Sequence, residues 1–344
     1  MSSGSVANAN DEQQRRKRAR WARWVSGLAS GGCAIGFLFW ASGQKLPQLP
    51  STPQTIAALV LAIVAYTLAT LWMCERWTAL LLRENRAFPR VEGYKSAVLG
   101  QLGNMCLPVR AGDAFRVGLV TTGRENVTAR SSVGMLLAER VLDIGCHSIL
   151  LVVTCLALFG PSVGGALGRT PGVIAGLGLL LAGVIAVFYV GRILLPRRRK
   201  TGGRLSTFMA PLLAPVVSLR HGSRALILLS VGIWLSEIFG WWAASRAVDL
   251  NLNLLQAAYV FAIATLALIA PIGFGAIGTL DAAIIFSVDA VGVATTQVLG
   301  FVLLLRIMFV LPSVLMAAWL WLGPRLKRGE ACVPAGSVDR LGDA

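Results

Sequence analysis

The sequence predicts an all-α integral membrane protein, and three features of the chain lead to that fold class. Hydrophobic residues make up 56% of its 344 residues and charged residues only 14%, which is too little polar surface to cover a water-soluble globule. Apolar stretches recur along the chain and are long enough to cross about 30 Å of hydrocarbon at about 1.5 Å per residue. Basic residues cluster between these stretches, as the positive-inside rule expects.

Six apolar stretches are predicted to be full crossings. They lie at roughly 25–43, 55–82, 131–159, 172–195, 224–248 and 295–322. Leu, Ala, Val, Ile and Gly dominate each of them. The first follows a basic segment that resembles the start of a signal peptide, but no clean cleavage site follows it, so we expect an uncleaved helix.

Two further apolar stretches, at 96–120 and 254–291, are interrupted by Pro and Gly clusters. A broken helix is tolerated in a membrane only where protein or a watery cavity satisfies the freed backbone groups. We therefore expect each stretch to form a re-entrant hairpin, which gives about eight helical membrane segments. The predicted hairpin turns are Pro108, Gly112, Pro271, Gly275 and Gly278.

The distribution of charge supports this topology. If both hairpins return to their own side, 24 of the 32 Lys and Arg residues fall on the cytoplasmic side, 2 fall outside and 6 lie at membrane depth. Residues 1–24 would then form a basic cytoplasmic tail, 25–322 a single membrane domain and 323–344 a short cytoplasmic tail, in the cytoplasmic (inner) membrane. Topology explains the positive net charge, so we expect no nucleic-acid partner.

The organisation of the chain repeats once. An offset of 163 residues relates Pro108 to Pro271 and Gly112 to Gly275. Each unit, at about 25–159 and 172–322, holds three crossings and one hairpin. Because three is odd, the second unit must be inverted relative to the first. Inverted repeats of this kind are typical of transporters whose broken helices meet near the bilayer midplane.

The first hairpin carries three charged residues in an otherwise apolar stretch, Arg110, Asp113 and Arg116. A charge at membrane depth costs a few kcal/mol and faces a cavity or a partner. We expect Asp113 and Arg116, three residues apart, to pair on one helical face. Arg110 would then be left to bind phosphate oxygens bidentately. The alternative is a hairpin at the interface with snorkelling arginines.

The third crossing carries Glu139, Arg140 and Asp143 on one helical face. They form either a structural ion pair between helices or part of an ion-coupling site. Arg306 occupies the position 163 residues after Asp143. The repeat therefore predicts a salt bridge between Asp143 and Arg306.

The second hairpin contains glycines and one acid, Asp281, but no base. Its glycines either let the backbone approach a ligand or let helices pack closely. Asp281 is a candidate for binding a coupling cation or a proton. Glu237 and Arg246, in the fifth crossing, are further intramembrane candidates.

The hypothesis that this protein is an enzyme has little support in the sequence. The six cysteines have no metal-ligand spacing, and the glycine run of the second hairpin lacks the Lys and Ser/Thr of a phosphate-binding loop. The loop at 44–54 lacks the acidic residue that a lipid-linked glycosyltransferase uses, and the AGD at 111–113 is a faint match to intramembrane aspartyl proteases. We therefore expect no catalytic residue, metal or cofactor, and a protein that is not an enzyme.

Three ordered motifs resemble a known family. They are N-x-x-L-P-x-R-A-G-D-x-x-R at 104–116, E-R-x-x-D at 139–143 and P-x-x-x-G-x-x-G-x-x-D at 271–281. Together they are similar to the flippase-like transmembrane region of bacterial lysylphosphatidylglycerol synthases and its stand-alone relatives, over roughly residues 20–325. The family commonly has Glu where this chain has Asp281. Because the chain ends at residue 344, soon after the last predicted helix, we expect a member without the synthase domain.

The resemblance implies movement of lipids or lipid-linked products between leaflets, in pathways of aminoacylated phospholipids, hopanoids or glycolipids. We expect Arg110, Arg116 and Asn104 to bind an anionic lipid headgroup. The expected cavity or coupling residues are Asp113, Glu139, Arg140, Asp143, Asp281 and Arg306. The alternatives are a transporter of small ions or solutes and a non-catalytic membrane partner of a cell-envelope lipid synthase or glycosyltransferase. A homo-oligomer also stays open.

Overall fold

A computed structural model describes residues 51–106, 111–122, 127–160, 211–216, 224–267, 279–293 and 297–330 of the chain. Within these ranges the regular structure is helical and includes no strand. The predicted crossings at 25–43 and 172–195 and both predicted tails lie outside the described residues, apart from the start of the C-terminal tail.

Eight helices account for most of the described chain. They are α1 (Pro53–Glu84), α2 (Arg90–Cys106), α3 (Ala111–Thr121), α4 (Ala129–Phe159), α5 (Arg224–Ala247), α6 (Leu254–Ala267), α7 (Thr279–Ala290) and α8 (Val298–Glu330). In the described part, α1, α4, α5 and the Val298–Trp321 part of α8 are long and apolar enough to cross a membrane. The predictions of helices at 55–82, 131–159, 224–248 and 295–322 are therefore confirmed.

Local signals explain where two of the long helices begin. Thr52 precedes α1, and its hydroxyl accepts a hydrogen bond from the Thr55 amide while the Thr55 hydroxyl accepts one from the Thr52 amide. This reciprocal cap satisfies two amides that have no partner in the first turn. Thr128 caps α4 with a single bond of this kind, in which its hydroxyl accepts from the Ser131 amide, and α4 ends at Gly160 with a φ of 52°.

Both interrupted stretches form pairs of packed helices, α2 with α3 and α6 with α7. The first pair packs very closely, because a Cβ atom on Gly112 would collide with the backbone of Gly100 and Asn104. The helix break predicted within each stretch is confirmed. The connections at 107–110 and 268–278 lie outside the described residues, and with them Pro108, Arg110, Pro271, Gly275 and Gly278.

Small residues bring the long helices together. Helix α1 packs along α5, where Ala62, Ala65 and Gly240 lie in contact, as is usual for helices that associate without a hydrophobic driving force. The outward faces are apolar, with Leu228 exposed by 70% and Ile149 by 63%. Surfaces of this kind are suited to contact with lipid chains.

Candidate functional site: a buried charge network

Arg76 lies at the centre of a network of charged side chains between α1, α3, α4 and α5. Its Nη1 donates to Asp143 Oδ1 at 2.8 Å and its Nη2 donates to Asp143 Oδ2 at 3.2 Å. Nη1 also donates to the Ser230 hydroxyl on α5 at 3.0 Å, and Nε lies 3.7 Å from Glu139 Oε1. This fork satisfies a carboxylate bidentately, which is the strongest form of the arginine–carboxylate pair.

Arg116 joins the hairpin arm α3 to the long helix α4. Its Nη1 donates to Glu139 Oε2 at 3.0 Å and its Nη2 to Glu139 Oε1 at 3.3 Å. The guanidinium lies 3.6 Å from the centre of the Trp77 ring, whose indole nitrogen donates to Ser96 Oγ on α2 at 2.9 Å. Ion pairing and cation–π stacking together hold this arginine in one orientation.

Asp113 forms a second link between the same two helices. It pairs with Arg140 at 3.2 Å, and Arg140 Nη1 lies 3.7 Å from Asp143 Oδ2. Asn104 on α2 donates to Asp113 Oδ1 at 2.8 Å and accepts from the Asp113 amide at 3.0 Å. The asparagine therefore binds the start of α3 to α2, while the arginine binds it to α4.

The charge network divides into two parts that differ in access. The inner part consists of Arg76, Arg116 and Glu139, whose side chains are exposed by 10% or less. The outer part consists of Asp113, Arg140 and Asp143, exposed by 21%, 31% and 20%. The outer part is therefore partly exposed, whereas the inner part is enclosed by protein.

The second pair of broken helices, α6 and α7, also has an ionic contact with the following long helix, between Asp281 on α7 and Arg306 on α8. Arg306 Nη2 donates to Asp281 Oδ1 at 2.6 Å. The Asp281 side chain is 1% exposed and that of Arg306 26%. This bridge also joins the second arm of a hairpin to the long helix that follows it.

Two predicted ion pairs are wrong. Asp113 pairs with Arg140 rather than with Arg116, because α3 lies against α4 and each charge on α3 finds its partner there. Asp143 pairs with Arg76, and Arg306 pairs with Asp281, rather than with each other. Spacing along one helix and the offset between repeats identified charged residues but not which helix lies opposite them.

The prediction that Glu139 and Asp143 share one face is confirmed, since both face Arg76. Arg76 itself was not identified as a site residue. The sequence did contain an indication of its role, because Arg76 lies in the middle of an apolar crossing, where a charge needs a partner. Arg246, near the end of α5, donates to the Asn251 side chain at 3.3 Å and lies away from the network.

Arg110, the predicted ligand for a headgroup, lies outside the described residues. Arg116 already donates both terminal nitrogens to Glu139, so its headgroup contact stays a prediction that requires a lipid to displace this carboxylate. Among the described residues, His, Cys, Asp and Glu form no group of three that could hold a metal ion.

Comparisons with known proteins bear on this fold and site. The model of one family, described as the lysylphosphatidylglycerol synthase transmembrane region, matches residues 23–317. Searches of curated proteins and of solved structures gave no match. The family match covers the charge network, both pairs of broken helices, the long helices α1, α4 and α5, and α8 as far as residue 317. The chain therefore belongs to the family of the lysylphosphatidylglycerol synthase transmembrane region.

Proposed function

We propose that this protein is a flippase-like transporter that moves an anionic lipid, or a lipid-linked product, between the leaflets of the cytoplasmic membrane. Family membership supports a role connected with membrane lipids. The observation that carries the proposal is the outer part of the charge network, where Arg140 is accessible between two carboxylates. Accessible charge at this depth is costly and is retained where a polar group must enter the membrane.

The chemistry of the outer part suits an anionic headgroup. A phosphate oxygen can replace Asp113 or Asp143 as a partner of Arg140, because guanidinium groups bind carboxylates and phosphates with the same fork. Exchanging one anion for another avoids the large penalty of leaving a buried charge without a partner. The acyl chains stay in lipid while the headgroup passes along the polar side chains.

The same exchange would loosen the hairpin. Asp113 is a link between α3 and α4 and also holds α2 through Asn104. A headgroup that takes Arg140 from Asp113 weakens one of these links, while the Arg116–Glu139 pair still joins α3 to α4. In this proposal Arg116 is a positioning residue of the arm in the state described, and Arg110 supplies a second contact to the headgroup.

The proposal includes the inverted-repeat topology with two re-entrant hairpins. Its support is that both hairpins have a second arm joined to the following long helix by an arginine–carboxylate pair. Discontinuous helices that meet across a repeat are a common way to build a polar path at the midplane. Both termini would then be cytoplasmic.

The test is reconstitution of the purified protein into liposomes with fluorescent lipids that are read separately in each leaflet. We expect anionic lipids to cross faster than zwitterionic ones, and we expect Arg140→Gln and the double variant Arg110→Ala, Arg116→Ala to slow them at least about tenfold, or about 1.4 kcal/mol. Arg90→Ala is the control, because Arg90 is 66% exposed and pairs only with Glu75 in the described part.

Two results would contradict the proposal. Equal movement of all lipids by the wild type and the arginine variants would show that the network does not bind a headgroup. No movement of any lipid would favour the alternative of a non-catalytic partner for a cell-envelope lipid synthase or glycosyltransferase, for which activity would require the partner.

A further inference from the structure

Glu237 on α5 is a carboxyl group at membrane depth that the proposed headgroup path does not use. It lies at the middle of a spanning helix, next to the buried Ile238, on a stretch packed against α1. It is close enough to Asp143 and Arg76 to interact with both electrostatically. Its side chain is partly rather than fully enclosed.

The nearest arginine cannot serve Glu237 without giving up other contacts. Both terminal nitrogens of Arg76 donate to Asp143, and one of them also donates to Ser230. Across the described residues, Glu237 forms no hydrogen bond or ion pair. It therefore differs from Glu139 and Asp143, each of which has an arginine fork.

Two forms of this carboxyl group are conceivable, and they have different costs. An ionised carboxyl that has no partner at this depth costs several kcal/mol and would also repel the neighbouring Asp143. A bound proton removes both costs, because it changes the group's charge from −1 to 0. Glu237 can pair with Arg76 only when Glu237 is ionised and Asp143 gives up one of its hydrogen bonds from Arg76.

The surroundings of Glu237 contain few other charges. Arg76 and the Tyr66 hydroxyl on α1 and Asp143 on α4 are near enough to interact with it electrostatically. His147, also on α4, packs edge-on against Trp234 of the same helix as Glu237. Helices α6 and α8 also pack against α5. Among their residues whose side chains the structure describes, the titratable ones are Tyr259, which stacks with Phe159, and Arg306, which pairs with Asp281.

We propose that Glu237 is a proton-binding site that is coupled to the charge network through Arg76 and Asp143. With the proton bound, Arg76 holds Asp143 in the bidentate pair that the structure shows. When the proton leaves, the Glu237 carboxylate competes for Arg76, and the contact between Asp143 and Arg76 weakens. Asp143 also lies beside Arg140. Loss of the proton from Glu237 therefore changes the ion pairing of Arg140 in the outer part of the network.

The coupling of this proton to lipid movement rests on the proposed function, whereas proton binding does not. A proton gradient would then change how often Arg140 pairs with its carboxylate partners and how often it pairs with a headgroup. That change would give lipid movement a direction. The two claims need separate measurements.

Proton binding is measured by infrared difference spectra of the full chain in lipid bilayers at neutral and alkaline pH. Ordinary carboxyl groups are ionised throughout this range, since they titrate near about pH 4. We expect a band of a protonated carboxyl group in the wild type and its loss in Glu237→Gln. The control is Asp249→Asn, an exposed acid just beyond the same helix with a φ of 58° that Asn tolerates. Identical spectra for the wild type and Glu237→Gln would overturn the proposal.

Coupling is measured as the ratio of anionic-lipid movement with and without a pH difference across the liposome membrane. We expect a ratio of at least about threefold, or about 0.65 kcal/mol, in the wild type and a ratio of one in Glu237→Gln, whatever its rate without the gradient. An unchanged ratio in the variant would overturn the coupling. If the wild type moved no lipid, the proposed function would fail while the infrared result would still decide whether Glu237 binds a proton.

Discussion

Among the described residues, the two broken-helix pairs are anchored by the same kind of contact but differ in the number of charged and polar groups that join them to neighbouring helices. In the first half, the second arm α3 is joined to α4 by Arg116–Glu139 and Asp113–Arg140, and Arg76 and Asn104 extend the network to α1 and α2. In the second half, the arm α7 is joined to α8 by Asp281–Arg306.

The difference suggests that the two halves have different roles. Among the described residues, one ion pair, between the enclosed Asp281 and the partly exposed Arg306, joins the second arm to its long helix. Apolar core residues such as Ile284, Phe301 and Leu305 surround that arm. In the described part, the first half has more charged groups in ion pairs at its second arm, and three of them are partly exposed. We interpret the second half as the scaffold and the first as the part that exchanges ionic partners.

The largest effect is expected from Arg76→Met. It leaves the bidentate carboxylate of Asp143 without its main partner, and breaking a buried pair of this kind costs about 3–5 kcal/mol. The free energy of unfolding in detergent micelles, from denaturant titration, is the measurement. The exposed Arg90→Met serves as control and should cost at most about 1 kcal/mol. Equal losses for the two variants would mean that the network does not stabilise the fold.

Two double-mutant cycles test whether the ionic partners of each half lie within that half. Asp281→Asn and Arg306→Gln should show a coupling of about 1–3 kcal/mol, because each residue is the other's ionic partner. Asp143→Asn and Arg306→Gln should be additive within about 0.5 kcal/mol, since the two residues have different partners. Strong coupling of Asp143 to Arg306 would restore the cross-repeat bridge that the structure contradicts.

Two glycines of α3 provide a matched pair for the close contact of the first hairpin. Gly112→Ala should destabilise by about 1–3 kcal/mol, since the new methyl group would collide with the α2 backbone. Gly118→Ala meets no atom within 4 Å and should be neutral or stabilise by up to about 1 kcal/mol through helix propensity. Thermal unfolding of both variants is the measurement, and equal midpoints would mean that the arms do not pack closely.

The smallest effect is expected at the edge of the first hairpin. Lys95 lies 5.8 Å from the Trp321 ring and pairs with Glu92 at 3.1 Å. Both contacts are accessible and weak, so Lys95→Met should cost at most about 1 kcal/mol. A loss as large as that of Arg76→Met, in the same unfolding measurement, would remove the distinction between enclosed and accessible charges.

Much of the described fold was predictable from the sequence because membrane insertion makes hydrophobicity a strong signal. The four described long helices and both helix breaks follow from apolar length and from Pro and Gly clusters. Of the predicted site, the intramembrane charges were identifiable for the same reason. The partners of Asp113, Asp143 and Arg306 were not, because pairing depends on which helices pack together.

Arg76 shows most clearly what the sequence alone could not predict. One arginine in an apolar crossing indicates that a partner exists, but several acidic residues in the other apolar stretches were candidates before the packing was known. These include Asp113, Glu139, Asp143, Glu237 and Asp281. Its contacts with Asp143 and Glu139 require α1 to lie beside α4, and no motif in either helix specifies that arrangement.

The most direct test of the account compares one arginine from each half. Arg140→Gln and Arg306→Gln are measured side by side for anionic-lipid movement in liposomes, with the folded fraction matched by gel filtration. The account predicts at least about a tenfold loss of rate for Arg140→Gln and a much smaller loss for Arg306→Gln. Equal losses in the two variants, or a larger loss for Arg306→Gln, would contradict it.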